Sequence, residues 1–190
     1  MNILRSLSTK TLIAAILISI LAGCSPAQDS TNQQLDAINE IRKSLELPEL
    51  PLEFVENTEM INSPSGGLEV ANYRDSEGRI YSVNPKTNLV VEIDARTLLP
   101  PKHGSISPDT LTLSPDELKA KAMEYFRATI SNFDSLQSSW QYEEGAKGEN
   151  YFFTWYVEIT PGSMNRPFAQ IGLHQSGVLF AYYNTLSLEK

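Results

Sequence analysis

Residues 67–94 read GLEVANYR, DSEG, RIYSV, NPKTN and LVVEID, and this stretch predicts three consecutive antiparallel strands. Apolar and polar residues alternate along 67–74, 79–83 and 89–94, which is typical of strands with one buried face. The DSEG and NPKTN segments between these runs consist of turn-forming residues. Two tight turns between three alternating runs indicate a β-meander. A further strand is predicted directly before it, at residues 52–61.

A second set of strands is predicted in the last third of the chain. YFFTWYVEIT at residues 151–160 predicts a strand with aromatic residues on both faces, because consecutive side chains point to opposite sides. A short strand at 141–144 precedes it across a loop. Residues 167–174 and 178–183 predict a hairpin that is closed by the turn Gln175-Ser176-Gly177.

A helix is predicted ahead of each set of strands. A capping box, in which the N-cap residue and the residue three positions later bond each other's backbone, is expected at 31–34 (TNQQ) and at 114–117 (SPDE). Apolar residues then recur at helical spacing, to about residue 46 in the first helix and to residue 133 in the second.

This order of elements predicts an α+β fold made of two small units, each a helix packed on an antiparallel β-sheet. The units would span residues 31–94 and 114–190, with a linker at 95–113 that is rich in Pro, Ser and Thr. Because both units have the same order of elements, the chain is interpreted as a candidate internal duplication.

The first 24 residues resemble the signal of a bacterial lipoprotein. Two basic residues accompany the apolar run TLIAAILISIL at 11–21, and Leu21-Ala22-Gly23-Cys24 has the form of a lipobox. The run is too short for a helix that crosses a ~30 Å hydrocarbon core, which favours a processed signal over a permanent span. The open alternative is an ordinary secretory signal in which the cysteine occurs by chance.

The lipobox resemblance implies where the protein is located. It implies removal of residues 1–23 and attachment of a diacylglycerol to the sulfur of Cys24. The short polar segment at 24–30 is interpreted as a tether. The protein would then be lipid-anchored to the cell membrane or the outer membrane and would face away from the cytoplasm. Cys24 is the only cysteine of the chain, so a disulfide within it is excluded.

Composition argues against a nucleic-acid partner. The signal carries two of the 15 basic residues and none of the 23 acidic ones, so 13 basic residues face 23 acidic ones from Cys24 onward, a net charge of −10. Binding to nucleic acid depends on clustered Lys and Arg that displace counterions from phosphates. We therefore expect no nucleic acid among the partners.

A resemblance to the PepSY domain rests on residues 79–90. Their sequence, RIYSVNPKTNLV, is similar to the strand, Asp-Pro-x-Thr-Gly turn and strand that end that domain, with Asn84 in place of Asp and Asn88 in place of Gly. The second half of the chain is similar in layout. The resemblance implies a small bacterial envelope module that binds or restrains a peptidase, with no catalytic residue to carry over.

Few residues of the chain could carry chemistry. His103 and His174 are the only histidines, whereas a zinc site needs three or four ligands, so both are interpreted as surface residues and no metal or cofactor is predicted. Ser163 and Ser176 lie in turn-like segments and outside known nucleophile motifs. DSEG at 75–78 resembles part of a calcium loop, but its glycine comes too early and it is interpreted as a turn.

The aromatic residues after position 139 form the candidate binding site. Of 17 aromatic residues in the chain, 11 lie at 140–183. The core of one small domain does not readily accommodate all of them. Either the sheet is covered on both faces, or one face exposes an aromatic patch that binds protein, peptide or glycan. The candidate surface comprises Phe152, Tyr156, Tyr182 and Tyr183.

The sequence therefore predicts a non-catalytic, membrane-anchored lipoprotein that binds an envelope protein, with a peptidase as the partner that the resemblance implies. Binding would occlude the partner or add a strand at a sheet edge. Two alternatives stay open. One is a structural or assembly lipoprotein of an envelope complex. The other is a hydrolase with an unrecognised site, which requires an activity that is lost when His174 or Ser176 is changed.

Overall fold

The computed structural model describes residues 26–60, 67–99, 112–157 and 166–186. The predictions for Cys24, His103 and Ser163 therefore lie outside the described residues. The described helices are α1 (Pro26–Ser44), α2 (Pro115–Thr129) and α3 (Phe133–Leu136). The strands are β1 (Leu52–Met60), β2 (Leu68–Asp75), β3 (Ile80–Asn84), β4 (Leu89–Asp94), β5 (Gln141–Lys147), β6 (Asn150–Tyr156), β7 (Phe168–His174) and β8 (Leu179–Asn184).

These eight strands form one antiparallel sheet, in the order β1-β2-β3-β4-β8-β7-β6-β5. The prediction of an α+β fold with antiparallel strands is confirmed. The prediction of a separate sheet in each unit needs correction, because β4 and β8 pair and join the two halves into one sheet. Each of these strands would otherwise end its half as an unpaired edge, and the pairing satisfies the backbone groups of both.

The junction between the two halves is symmetric. Ile93 of β4 pairs with Tyr182 of β8 at the centre of the junction. The residue before Ile93 pairs with the residue after Tyr182, and the residue after Ile93 pairs with the residue before Tyr182. The last strand of each half also has a bulge at a matching position, since Val91 in β4 and Phe180 in β8 have no counterpart on β3 and β7. The paired residues of the junction are Glu92–Tyr183, Ile93–Tyr182 and Asp94–Ala181.

Both long helices cover the same face of the sheet, and the core lies between helices and sheet. α1 contacts β3 and β4, α2 contacts β6 and β7, and the two helices contact each other. Ile38 of α1 and Phe126 of α2 belong to one cluster of buried residues. Phe126 stacks on Phe133 at 5.3 Å and meets Trp155 edge-on at 4.9 Å between ring centroids. No described helix has the length and apolar character of a membrane span.

The predicted start of α2 is confirmed. The Ser114 hydroxyl accepts a hydrogen bond from the backbone N–H of Glu117, and the Glu117 carboxylate accepts one from the backbone N–H of Ser114. This reciprocal pair is the capping box that the spacing predicts. Pro115 occupies the first turn, where its missing N–H has no helical partner to bond.

The predicted start of α1 is wrong. The helix begins at Pro26, so most of the predicted tether at 24–30 belongs to it, and Thr31 is not its N-cap. Proline is favourable at the first helical position, and it supplies a start signal five residues earlier than the apparent capping box. Gln34 has another role, because its buried side chain accepts a hydrogen bond from the Tyr73 hydroxyl at 2.6 Å.

A buried ionic cluster organises the turn between β2 and β3. The Asp75 carboxylate is fully buried and accepts hydrogen bonds from the backbone N–H groups of Glu77 and Arg79, the Arg79 guanidinium and the Tyr81 hydroxyl. Arg42 of α1 lies 3.6 Å from the same carboxylate, and 4.6 Å from the centre of the Tyr81 ring. The interpretation of DSEG as a turn is confirmed, because protein donors occupy the oxygens that a calcium ion would need.

Candidate functional site

The candidate site is the face of the sheet opposite α1 and α2, which we call the open face. It is built from alternate residues of each strand, because the other residues point into the core beneath the helices. Neither α1 nor α2 lies on this face, although a short 3₁₀ helix at Arg96–Leu98 contacts β8. One row of neighbouring residues crosses it from β5 to β2, and consists of Glu143, Thr154, Gln170, Tyr183, Glu92, Ser82 and Asn72.

Three half-buried aromatic rings follow one another across the open face. Tyr156 of β6, Phe168 of β7 and Tyr183 of β8 have ring centroids 6.1 Å apart at each step. We call these three residues the aromatic row. Tyrosine and phenylalanine are enriched where proteins bind each other, because a rigid ring covers a large area at a small cost in conformational entropy.

The half of the open face formed by β1 to β3 carries a network of polar side chains. Asn72 donates a hydrogen bond to Thr58 and accepts one from Ser82, each at 2.8 Å, so side chains as well as backbone link these strands. A groove of about 250 Å³ is lined by these residues, by Glu92 and Asp94 of β4, and by the apolar side chains of Met60, Val70 and Ile80. The open face thus joins a groove of mixed polar and apolar lining to an aromatic surface.

Two carboxylates of the open face lie beside tyrosines. Glu92 interacts with the Tyr183 hydroxyl, and burial raises the pKa of both groups. Glu143 interacts in the same way with Tyr156, whose pKa is also raised by burial. Among the described residues, no basic side chain forms an ion pair with Glu92 or Glu143.

Three of the four residues predicted as a binding surface lie on the open face. Phe152, Tyr156 and Tyr183 are half-buried there. Tyr182 is 1% exposed and packs in the core beneath the helices. The assignment of Tyr182 to the surface is wrong, because adjacent residues of a strand point to opposite faces. The aromatic residues of this half are thus divided between the core and the open face.

Phe152 forms a second aromatic contact on the open face. It meets Phe180 edge-on, with 5.3 Å between the ring centroids. Gly172 makes room for Phe180, since a Cβ atom at that position would lie 2.8 Å from a carbon of the Phe180 ring. Phe180 is the bulged residue of β8 and is buried, so the half-buried Phe152 is the more exposed member of the pair.

Sequence reasoning missed Phe168, Glu92 and Glu143. The signal for Phe168 is present in FAQIGLH, where alternation places Phe168 on the same face as Gln170. The signal for Glu92 is a single charge inside the apolar run LVVEID. Nothing in the sequence shows that Glu92 lies opposite Tyr183, because that pair depends on the junction between β4 and β8.

His174 is buried, which corrects its interpretation as a surface residue, and it bonds to Ser176 and Glu149. Its Nδ1 lies 2.8 Å from the Ser176 hydroxyl and 3.2 Å from the Ser176 backbone nitrogen. Its Nε2 lies 3.2 Å from a Glu149 carboxylate oxygen. A serine, a histidine and a carboxylate in hydrogen-bond contact are the parts of a nucleophilic catalytic site.

The geometry around His174 is better explained by the turn between β7 and β8. At the matching turn between β3 and β4, the Asn84 side chain accepts the backbone N–H of Lys86, two residues further on, at 2.9 Å. The Nδ1 atom of His174 accepts the backbone N–H of Ser176 in the same way. Since this N–H occupies the ring's lone pair, His174 is poorly placed to take the proton of the serine hydroxyl.

Within residues 26–60, 67–99, 112–157 and 166–186, no group of three or more His, Cys, Asp and Glu side chains is arranged to hold a metal ion. Comparison of the chain with protein-family models, with curated proteins and with solved structures gives no match. The open face must therefore be interpreted from its own residues.

Proposed function

We propose that this protein is a non-catalytic binding module that docks the open face of its sheet onto a protein partner in the bacterial envelope. The observation that carries the proposal is the aromatic row, Tyr156, Phe168 and Tyr183, on the face of the sheet opposite α1 and α2. Each Å² of apolar surface that a partner removes from water contributes about 25 cal/mol. Rings already aligned by the sheet need little further ordering on binding.

Occlusion by the open face suits this sheet better than strand addition at an edge. The edge strands are β1 and β5. β1 has a bulge between Phe54 and Glu56 and contains three glutamates. β5 is mostly exposed and carries Glu143, Glu144 and Lys147. Bulges and charges on an edge strand hinder pairing with a further strand, so the face is the more favourable docking surface.

We interpret the two halves as repeats of one PepSY-like unit that share a single sheet. In each half a helix precedes a four-stranded meander. The bulges at Val91 and Phe180 occupy matching places, as do the turn bonds of Asn84 and His174. The PepSY resemblance implies restraint of a peptidase, so an envelope peptidase is the partner that we propose first.

We further propose that the mature protein is held on the cell membrane or the outer membrane by lipid on Cys24. Cys24→Ala is expected to prevent acylation, because the chain has no other thiol, and to leave the protein unprocessed or released. Membrane fractionation and mass spectrometry of the N-terminus check this. Ser25→Ala is the matched control and should stay anchored. A Cys24→Ala protein that is still cleaved before residue 24 and acylated would rule out the lipobox interpretation.

Docking by the open face is tested by crosslinking the tagged full chain in cells and identifying the proteins that co-purify. Tyr156→Ala combined with Tyr183→Ala is expected to reduce recovery of the partner at least about tenfold, since truncation of anchor aromatics at an interface typically costs more than 1 kcal/mol each. Leu136→Ala is the control, because Leu136 is an exposed apolar residue outside the open face. Circular dichroism of all variants should match that of the wild type.

The outcomes separate the three hypotheses. A peptidase that is recovered with the wild type and the Leu136→Ala control, but not with the double variant, supports the restraining module. A fixed set of envelope proteins that is insensitive to the double variant favours the structural alternative and contradicts docking by the aromatic row. A hydrolytic activity of the purified protein that Ser176→Ala abolishes would favour the hydrolase.

A further inference from the structure

We infer that the open face recognises basic side chains, and that it takes an arginine or lysine of its partner at two points, Glu92 beside Tyr183 and Glu143 beside Tyr156. The inference rests on the proposed docking function and specifies the chemistry of the partner surface. A partner that meets the open face would present two cations with apolar surface between them.

The first point lies at the junction of the two halves. Glu92 and Tyr183 are direct neighbours across β4 and β8. The closest basic residue along the chain, Arg96, is occupied, because its guanidinium binds both carboxylate oxygens of Asp94 at 2.9 and 2.6 Å. An arginine of the partner would find the Glu92 carboxylate, which interacts with the Tyr183 hydroxyl but has no ion pair among the described residues, for charge-assisted hydrogen bonds, and the Tyr183 ring for a cation–π contact.

The second point lies at the other end of the aromatic row. Glu143 of β5 interacts with Tyr156 of the adjacent strand β6. Of two nearby cations, Lys119 binds Glu144 at 2.7 Å, and Arg166 donates a hydrogen bond to the neutral Gln141 at 3.1 Å and forms no ion pair with Glu143. Glu143 is exposed and can be reached without rearrangement.

The spacing of the two points requires two separate basic side chains on the partner. Glu92 and Glu143 belong to the same row of the open face, with four strand intervals between β4 and β5. At ~4.8 Å for each interval, the two carboxylates are ~19 Å apart along the sheet. The aromatic row lies between them. A single basic side chain cannot reach both points, so the complementary surface carries two cations and an apolar strip.

The overall negative charge favours a basic partner, but it does not indicate that binding occurs at Glu92 and Glu143. The chain has a net charge of −10 from Cys24 onward, which attracts any cationic protein at long range. Glu124 is exposed on α2 in the helix layer and shares in this general attraction. It therefore serves as the control for the two open-face glutamates.

The test uses a fluorescein-labelled peptide of seven residues with arginine at positions 1 and 7 and serine between them. Extended, it spans about 20 Å, which matches the spacing of the two carboxylates. It is titrated with the full chain in detergent and followed by fluorescence anisotropy. Glu92→Gln combined with Glu143→Gln is expected to weaken binding about tenfold or more, as for loss of hydrogen bonds to charged groups. Glu124→Gln should bind like the wild type.

A second peptide, with citrulline in place of both arginines, has the same shape without the charge and should bind the wild type about tenfold more weakly. Equal binding of the two peptides, an equal loss with Glu124→Gln, or no binding of the arginine peptide would each overturn the inference. Because this assay needs no cellular partner, its failure leaves the crosslinking test of the aromatic row unaffected. Conversely, if the peptide binds but the crosslinking test fails, recognition of basic side chains at the two points would be supported and the proposed docking function would be contradicted.

Discussion

Asp75→Asn is expected to lower the free energy of unfolding by about 3–5 kcal/mol, as for removal of one partner of a buried ion pair. The Asp75 side chain is fully buried between Arg42 and Arg79, which are 1% and 11% exposed. Asparagine has the same shape but no charge, so the buried Arg42 guanidinium would lose its counter-ion, and Arg79 would keep only the half-exposed Glu77 at 2.6 Å. Urea unfolding followed by tryptophan fluorescence measures the change.

Asp94→Asn is the matched control for Asp75→Asn. Asp94 forms a shorter ion pair, at 2.6 Å to Arg96, but Arg96 is 64% exposed. Water screens such a pair, and its loss should change the free energy of unfolding by about 1 kcal/mol or less. Equal effects of the two substitutions would contradict the view that burial, and not distance, makes the Asp75 cluster important.

The same carboxylate predicts how stability depends on pH. Burial alone would raise the pKa of Asp75, but hydrogen bonds from the Arg79 side chain and backbone, with the Tyr81 hydroxyl, outweigh it and hold the pKa below its usual value. The unfolded chain therefore binds this proton at a higher pH, about 3.9, than the folded chain does. The contribution of Asp75 is complete above about pH 4–5 and is lost as the pH falls through the folded pKa, a loss that Asp75→Asn should remove.

Turn chemistry made most of the strands predictable. The turn segments DSEG and NPKTN lie directly before and after β3, so the turns alone predict its position. The observed strand is Ile80–Asn84. The start of α2 was equally accessible, because a capping box is a local feature. α1 shows the limit of this reasoning, since TNQQ has the correct spacing but Gln34 bonds to Tyr73 of β2, a contact between distant segments.

The junction of the two halves could not be predicted in this way. Nothing local in LVVEID or LFAYYN indicates that β4 and β8 pair, because period and turns determine only which neighbouring strands can meet. This pairing places Glu92 beside Tyr183 and thereby creates half of the candidate site. The position of the helices, which decides which face of the sheet stays open, is likewise a property of the whole fold.

Tyr182 and Tyr183 are adjacent residues for which opposite results are expected. Tyr182 lies opposite Ile93 at the centre of the junction and is 1% exposed, whereas Tyr183 is half-buried on the open face. Tyr182→Ala leaves a cavity where the two halves share their core and should cost about 3–5 kcal/mol of unfolding free energy. Tyr183→Ala should stay within about 1 kcal/mol of the wild type, because its ring already contacts water.

The urea transition of Tyr182→Ala also tests whether the halves form one cooperative unit. Because one sheet and one core contain both halves, the wild type should unfold in a single step, with circular dichroism and tryptophan fluorescence changing together. Tyr182→Ala weakens the place where the halves meet, so any independent stability of one half would appear as a second transition. A cost below about 1 kcal/mol for Tyr182→Ala, or a larger cost for Tyr183→Ala, would reverse the assignment of these two side chains to the core and the open face.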